Sequence, residues 1–218
     1  METKRCFTLT AAVVCMLIAV SSAVFAQTAP KTAEDYTERG WAYIGNGDID
    51  KAIADLNEAI RLDPTYAAAY SNRGAAYNSK GDYDKAIADF TEAIRLDPTY
   101  AAAYYDRGWA YNSKGDYDKA IVDLNEAIRL DPKDAAAYNN RGFAYDRKGD
   151  ADRAIADYTE VIRLDPKDAD AYYNRGSAYD GKGDLNRAIA DFEAALRINP
   201  NNTNAGAWLE SLRQRRGY

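Results

Sequence analysis

The sequence predicts an all-α solenoid of five antiparallel helix pairs, closed at its C-terminus by a capping helix. Three observations predict it. The first is a near copy: Ala67–Tyr100 and Ala101–Asp134 agree at 26 of 34 positions. The same phase extends outward to give five units, 33–66, 67–100, 101–134, 135–168 and 169–202. A fixed period of this size signals stacked units that bury their apolar faces only against neighbours. The second is periodicity of three and four residues within each unit, as at Tyr70, Gly74 and Tyr77, which places side chains on one helical face. The third is punctuation. A glycine follows each first helix (Gly47, Gly81, Gly115, Gly149, Gly183) and a proline closes each unit (Pro64, Pro98, Pro132, Pro166, Pro200).

Taken in order, the chain begins with Lys4 and Arg5, an apolar run from Cys6 to about Val20, and compact residues at Val24 and Ala26. This is the layout of a secretory signal peptide, residues 1–26, cleaved after Ala26. Two alternatives stand beside it. Cys6–Phe25 approaches the ~20 residues that span a bilayer, so an uncleaved anchor is one. A lipoprotein anchored at Cys15 is the other, disfavoured by the bulky Val14 before the cysteine. Residues 27–32 form a polar linker.

In each unit the first helix runs from about the second residue to the fourteenth. The glycine that ends it is followed by Asp48, Asp82, Asp116, Asp150 or Asp184, placed to cap the second helix. In that second helix Ala52, Ala86, Ala120, Ala154 and Ala188 permit close helix approach. Ile53, Leu56, Ile60 and their equivalents form the apolar stripe.

The period of 34, Gly40, Gly74, Gly108, Gly142 and Gly176 at the eighth position, and Tyr43, Tyr77, Tyr111, Tyr145 and Tyr179 at the eleventh resemble the tetratricopeptide repeat. So do the alanine at the twentieth position and the proline at the thirty-second. The resemblance covers 33–202 and implies a right-handed superhelix whose concave surface is lined by first helices. Two positions depart from the family pattern. Tyrosine stands fourth (Tyr36, Tyr70, Tyr104, Tyr138, Tyr172), where the family often has tryptophan. Arginine stands seventh (Arg39, Arg73, Arg107, Arg141, Arg175), where leucine is usual.

Five charges at a position often apolar need partners if they are partly buried. Asp55, Asp89, Asp123, Asp157 and Asp191 recur once per unit, and an Arg–Asp ladder joining the helices is the expectation. The other reading is that each guanidinium reaches solvent. Residues 203–218 leave the pattern. Ala207, Leu209 and Leu212 suit a short capping helix against the fifth unit, with Trp208 packed there and Arg213, Arg215 and Arg216 favouring its negative end. A basic binding tail is the alternative.

Composition narrows the chemistry. The chain has no histidine, and its two cysteines, Cys6 and Cys15, lie in the segment expected to be removed. Serine triads, thiol catalysis and His/Cys metal sites are thereby excluded from the remainder. The formal net charge of −6 argues against phosphate-backbone binding. Neither GxxxxGK[ST] nor GxGxxG occurs. The carboxylates repeat with the period, whereas a catalytic group would be unique. No catalytic residue, cofactor or metal is expected.

Binding is where the units differ from one another. The resemblance implies that the second, fifth, ninth, twelfth and thirteenth residues face the groove. Tyr105, Trp109, Phe143 and Tyr173 fall at such positions in adjacent units, with Asn112 and Asn139 beside them. Aromatics with amide neighbours are what a peptide-binding patch uses. Alternatively, these rings pack between first helices and meet no ligand. The family's carboxylate clamp is not carried over: Asn72 matches one position, but Thr37 and Ala102 replace lysines and Asp106 replaces an arginine. The groove therefore suits a basic or apolar peptide. The expected function is a non-catalytic, periplasmic scaffold binding a protein or peptide partner, with no nucleic acid and no membrane engaged after signal cleavage. A glycan- or peptidoglycan-binding accessory protein and a self-assembling structural oligomer are the rival readings.

Overall fold

The computed structural model describes residues 30–217. The signal peptide, its cleavage point and the rival anchors lie outside the described residues, except for the end of the polar linker. The described residues form eleven helices and no strand. They are α1 (Ala33–Gly45), α2 (Ile49–Leu62), α3 (Ala67–Ser79), α4 (Tyr83–Leu96), α5 (Ala101–Lys114), α6 (Tyr117–Leu130), α7 (Ala135–Arg147), α8 (Ala151–Leu164), α9 (Ala169–Gly181), α10 (Leu185–Ile198) and α11 (Thr203–Arg216). Each helix packs on the next in chain order, and α1 on α3, α3 on α5 and α5 on α7 as well. This is the stacked solenoid expected, with the core running as a string of clusters down the axis rather than gathering at one centre.

The helix ends follow from local chemistry. The turn glycines sit at φ between +76° and +82°, a conformation that other residues adopt only at a cost. The aspartate after each donates its backbone N–H to a tyrosine carbonyl five residues back, as Asp116 does to Tyr111 at 2.9 Å, closing a Schellman turn. The expectation that this aspartate caps the second helix needs correcting. Asp82, Asp150 and Asp184 accept the capping N–H, but Asp48 and Asp116 do not. Pairing with the lysine three residues on does not separate the two groups, since Asp82 binds the Lys85 ammonium and still caps its helix. The first helices begin one residue earlier than expected. Thr32 forms a capping box with Asp35, and Asp134, Asp168 and Asn202 cap α7, α9 and α11.

Close helix approach rests on two small residues. The twentieth-position alanines are fully buried. At Gly108 an added Cβ would lie 2.8 Å from Leu124 Cγ, and at Gly74 it would lie 2.7 Å from Phe90 Cε1. The buried Leu56, Phe90, Leu124 and Phe192 of the second helices fill the space these glycines leave.

The Arg–Asp ladder is present in every unit. Arg107 donates from Nε and Nη2 to the two carboxylate oxygens of Asp123, both at 2.7 Å. Arg39, Arg73, Arg141 and Arg175 grip Asp55, Asp89, Asp157 and Asp191 in the same bidentate way. The remaining nitrogen reaches back one unit, from Arg73 to Asn57, Arg107 to Thr91, Arg141 to Asn125 and Arg175 to Thr159. One guanidinium therefore ties both the helices of its own unit and the stack. Each also lies over the tyrosine three residues earlier, Arg107 over Tyr104 at 5.8 Å and Arg141 over Tyr138 at 5.4 Å. The two departures from the family pattern are thus one device: the fourth-position tyrosine carries the face of the seventh-position arginine. Among the described residues Arg39 has no tie to a preceding unit, and its side chain is 38% exposed, whereas Arg107 is 17% exposed.

α11 closes the stack, with two corrections to its detail. Ala205, Leu209 and Leu212 are the buried residues and Ala207 is exposed, because the helix starts at Thr203 and turns Ala205 inward. Trp208 stacks on Phe192 with ring planes 11° apart, yet stays 40% exposed. Arg213 and Arg215 pair with Glu193 and Asp180 of the fifth unit, so a carboxylate, rather than the helix end, fixes each of them.

Candidate functional site

The six candidate residues lie on α5, α7 and α9, the first helices that the family resemblance assigns to the inner wall. The opposite face of each helix is fully committed to packing through Ala103, Gly108 and Ala110 and their equivalents. Trp109 and Phe143 remain 37% and 43% exposed. Neither ring is loose. Trp109 meets Tyr83 edge to face at 5.9 Å, and Phe143 meets Tyr117 likewise at 6.3 Å. Tyr83 and Tyr117 open the second helix of the preceding unit, so each exposed ring is braced across a unit boundary.

The partner tyrosines were not singled out from the sequence, although a signal for them exists. Aromatic residues face each other at just these two boundaries. At the others the same pair of positions holds Ile49 with Ala75 and Ala151 with Ser177. A ring meets a ring only at these two of the four boundaries between units, which is the signal the sequence offers.

The other candidate residues are tied together more closely. Tyr105 accepts a hydrogen bond at its hydroxyl from Asn140 Nδ2 at 3.1 Å. Asn112 donates from Nδ2 to the Asn140 carbonyl at 2.9 Å and is itself buried. Asn139 accepts from Asn174 Nδ2 at 3.1 Å. Tyr173 turns to Phe192 of its own unit, with ring centroids 5.7 Å apart. The structure thus separates two groups among the six candidates. Trp109 and Phe143 present open rings, Tyr105, Asn112 and Asn139 take part in the seam joining α5, α7 and α9, and Tyr173 packs within its own unit. Asn140 is the centre of that seam, and sequence reasoning passed over it.

The wall is acidic. Asp106, beside Tyr105, makes no hydrogen bond or ion pair among the described residues. Burial, and then the Asp134 carboxylate, pushes its carboxyl up to about 6. Burial likewise raises Asp146, against the opposing pull of Arg147. The Tyr105 hydroxyl is raised first by burial and then by Asp106 and Asp134. These shifts differ from those of the outer carboxylates, such as Glu126, which its hydrogen bond to Arg129 lowers. Among the described residues no three side chains of His, Cys, Asp and Glu gather in metal-binding geometry. A shallow depression between Lys182 and Asn186 is the inter-helix turn of the fifth unit and holds no distinctive chemistry.

Comparison with known proteins agrees with this geometry. Family models described as TPR repeat match residues 40–79 and 108–149, and models described as tetratricopeptide repeat match 67–100, 90–122 and 139–203. No curated protein matches the chain. Among solved structures, MamA is 32% identical, with 76% of this chain and 96% of that one covered and a TM-score of 0.70. YrrB, described as a TPR protein with an unusual peptide-binding site, is 26% identical over 82% of this chain and 92% of its own, at a TM-score of 0.72. MamA from Desulfovibrio magneticus RS-1 shares the fold at 23% identity, with 80% and 99% covered and a TM-score of 0.73.

Proposed function

Since the chain belongs to the tetratricopeptide repeat family, we propose that it is a non-catalytic interaction module, exported to the bacterial cell envelope, that holds a partner's peptide or helix against its inner wall. The observation that carries this reading is the pair of braced, exposed rings, Trp109 and Phe143, on adjacent units. An aromatic ring held rigid before its ligand arrives loses little entropy on binding and offers a large contact area. The neighbouring seam of Tyr105, Asn139, Asn140 and Asn174 keeps α5, α7 and α9 in fixed register, so the two rings present one surface. Relatives support the class of activity, because YrrB is described as having a peptide-binding site. Export rests on the basic, apolar and small-residue layout of the first 26 residues. No helix of the described residues is long and apolar enough to cross a membrane.

The test is a pull-down from envelope extract with the intact chain, Trp109→Ala and Tyr105→Ala, each checked for helicity by circular dichroism. Partner recovery falls sharply with Trp109→Ala. Unchanged recovery with both folded variants rules this surface out. Detection of the mature N-terminus at Gln27 in the exported fraction checks the signal reading.

A further inference from the structure

The twelfth residue of each unit after the first is a hydrogen-bond acceptor: Asn78, Asn112, Asp146 and Asp180. The last of these is filled from within the chain. α11 occupies the place of a sixth first helix, and Arg215, its thirteenth residue, donates from Nη1 to Asp180 Oδ1 at 2.8 Å. The carboxylate is 11% exposed and the guanidinium 48%, so a largely buried acid is met from the open side by a cation.

The other three acceptors have no such partner. Asn112 is 7% exposed, its Nδ2 is engaged by the Asn140 carbonyl, and its Oδ1 is buried without a donor. Asn78 Oδ1 is in the same state one unit earlier. A buried acceptor without a donor has lost the bond it makes in water. Asp146 and Asp106 make no ion pair among the described residues, although Asp55, Asp89, Asp123, Asp157 and Asp191 on the packing side are all paired. Asp106 is half-buried and Asp146 lies open to solvent, where a partner's side chain can reach it. Arg147, next to Asp146 in the chain, turns its Nε to Tyr117 on the neighbouring second helix.

We propose that the inner wall receives an arginine side chain of the partner, with Asp146 taking its guanidinium as Asp180 takes Arg215, and with the unpaired Asp106 adding negative charge one unit earlier. The assignment rests on the groove reading above and specifies its ligand. Charge complementarity selects a cation, and the Arg215–Asp180 pair within the chain is the precedent for arginine over lysine. A planar fork with five donors serves several oxygens at once, and its face suits the open rings of Trp109 and Phe143.

The experiment titrates the full chain into two fluorescein-labelled eight-residue peptides at low salt and follows anisotropy. One peptide carries two arginines; its twin carries citrulline, which is neutral and nearly the same shape. The arginine peptide binds about tenfold more tightly, as one charge-assisted hydrogen-bonded pair implies. Asp146→Asn and Asp106→Asn each remove roughly fivefold or more of that affinity by the same measure. Asp118→Asn, an exposed outer carboxylate paired with Lys148, leaves it unchanged. Equal binding of the twins, or equal loss from Asp118→Asn, overturns the arginine assignment. If the twins bind equally and Trp109→Ala weakens both, the groove stands and the arginine subsite fails. Binding indifferent to Trp109→Ala overturns both readings.

Discussion

Each first helix has two faces that obey different constraints. Toward its second helix, α5 presents Ala103, Arg107, Gly108 and Ala110, and the other inner units present the same four residues at the same places. Toward the inner wall it presents Tyr105, Asp106, Trp109 and Asn112, and no other unit repeats that set. On the packing face, volume and charge must fit a partner already in the chain. Gly108 leaves room for Leu124, and Arg107 answers Asp123. On the inner face nothing inside the molecule demands a particular side chain at every unit. The lesson is that repetition marks what holds the solenoid together, and departure from repetition marks where a partner can be distinguished.

The comparison can be broken most forcefully at the ladder. Arg107→Ala strands the 5%-exposed Asp123 carboxylate and lowers stability by about 3 kcal/mol, read from the urea midpoint. Replacing both residues with leucine restores much of that loss, because the desolvated charge disappears together with its partner. Arg39→Ala, at the terminal unit, costs clearly less, since its guanidinium is more exposed and lacks the tie to a preceding unit. If Arg39 and Arg107 prove equal, the reading of the ladder as an inter-unit tie is wrong.

A smaller effect comes from Gly108→Ala. The new methyl meets Leu124, and overpacking of this kind costs about 1–3 kcal/mol. The same substitution at Gly45, where nothing lies within 4 Å, is tolerated or mildly stabilising, because alanine favours helix. Thermal unfolding of the two variants side by side measures the difference.

Asp106 gives a pH signature of the inner face. Its folded pKa, about 6, lies above the ordinary value of 3.8, so the folded state binds the proton more readily than the unfolded state. Its contribution therefore favours folding at low pH and declines as pH rises from about 4 to above 6. Asp106→Asn removes that decline and raises stability at pH 7, by on the order of 1–2 kcal/mol. The two variants converge near pH 4. Denaturation midpoints across pH 4–8 check it, and parallel curves for parent and variant refute it. The smallest structural effect is expected at Trp109→Ala. The ring is over one-third exposed and its main contact is one edge-on tyrosine, so stability changes by about 1 kcal/mol.

Much of the packing side was legible in the residues. The period located the helix pairs, the turn glycines located the reversals, and one arginine and one aspartate per unit implied the ladder. Such features are local, or repeat often enough to reveal their partners. The inner side was legible only in part. Its aromatic residues stood out, but their bracing by Tyr83 and Tyr117 did not, since those residues belong to the second helices of other units. Asn112 reads as a groove residue by position, yet its amide bonds to the Asn140 carbonyl 28 residues later, and that contact buries it. The cap positions Asp48 and Asp116 failed although Asp82, with the same lysine neighbour, caps its helix, so spacing alone does not show which carboxylate turns to the backbone.

By itself, the sequence determined that this protein is a stack of helix pairs, how many pairs there are and which charges the packing must absorb. These follow from short-range rules about glycine, proline and apolar spacing, applied five times in phase. The tertiary structure alone decided which inner side chains stay open, which become part of the seam, and which carboxylates are left without a cation. Those outcomes depend on the distance between helices of neighbouring units, which is set by the summed packing of both and is written in neither one separately.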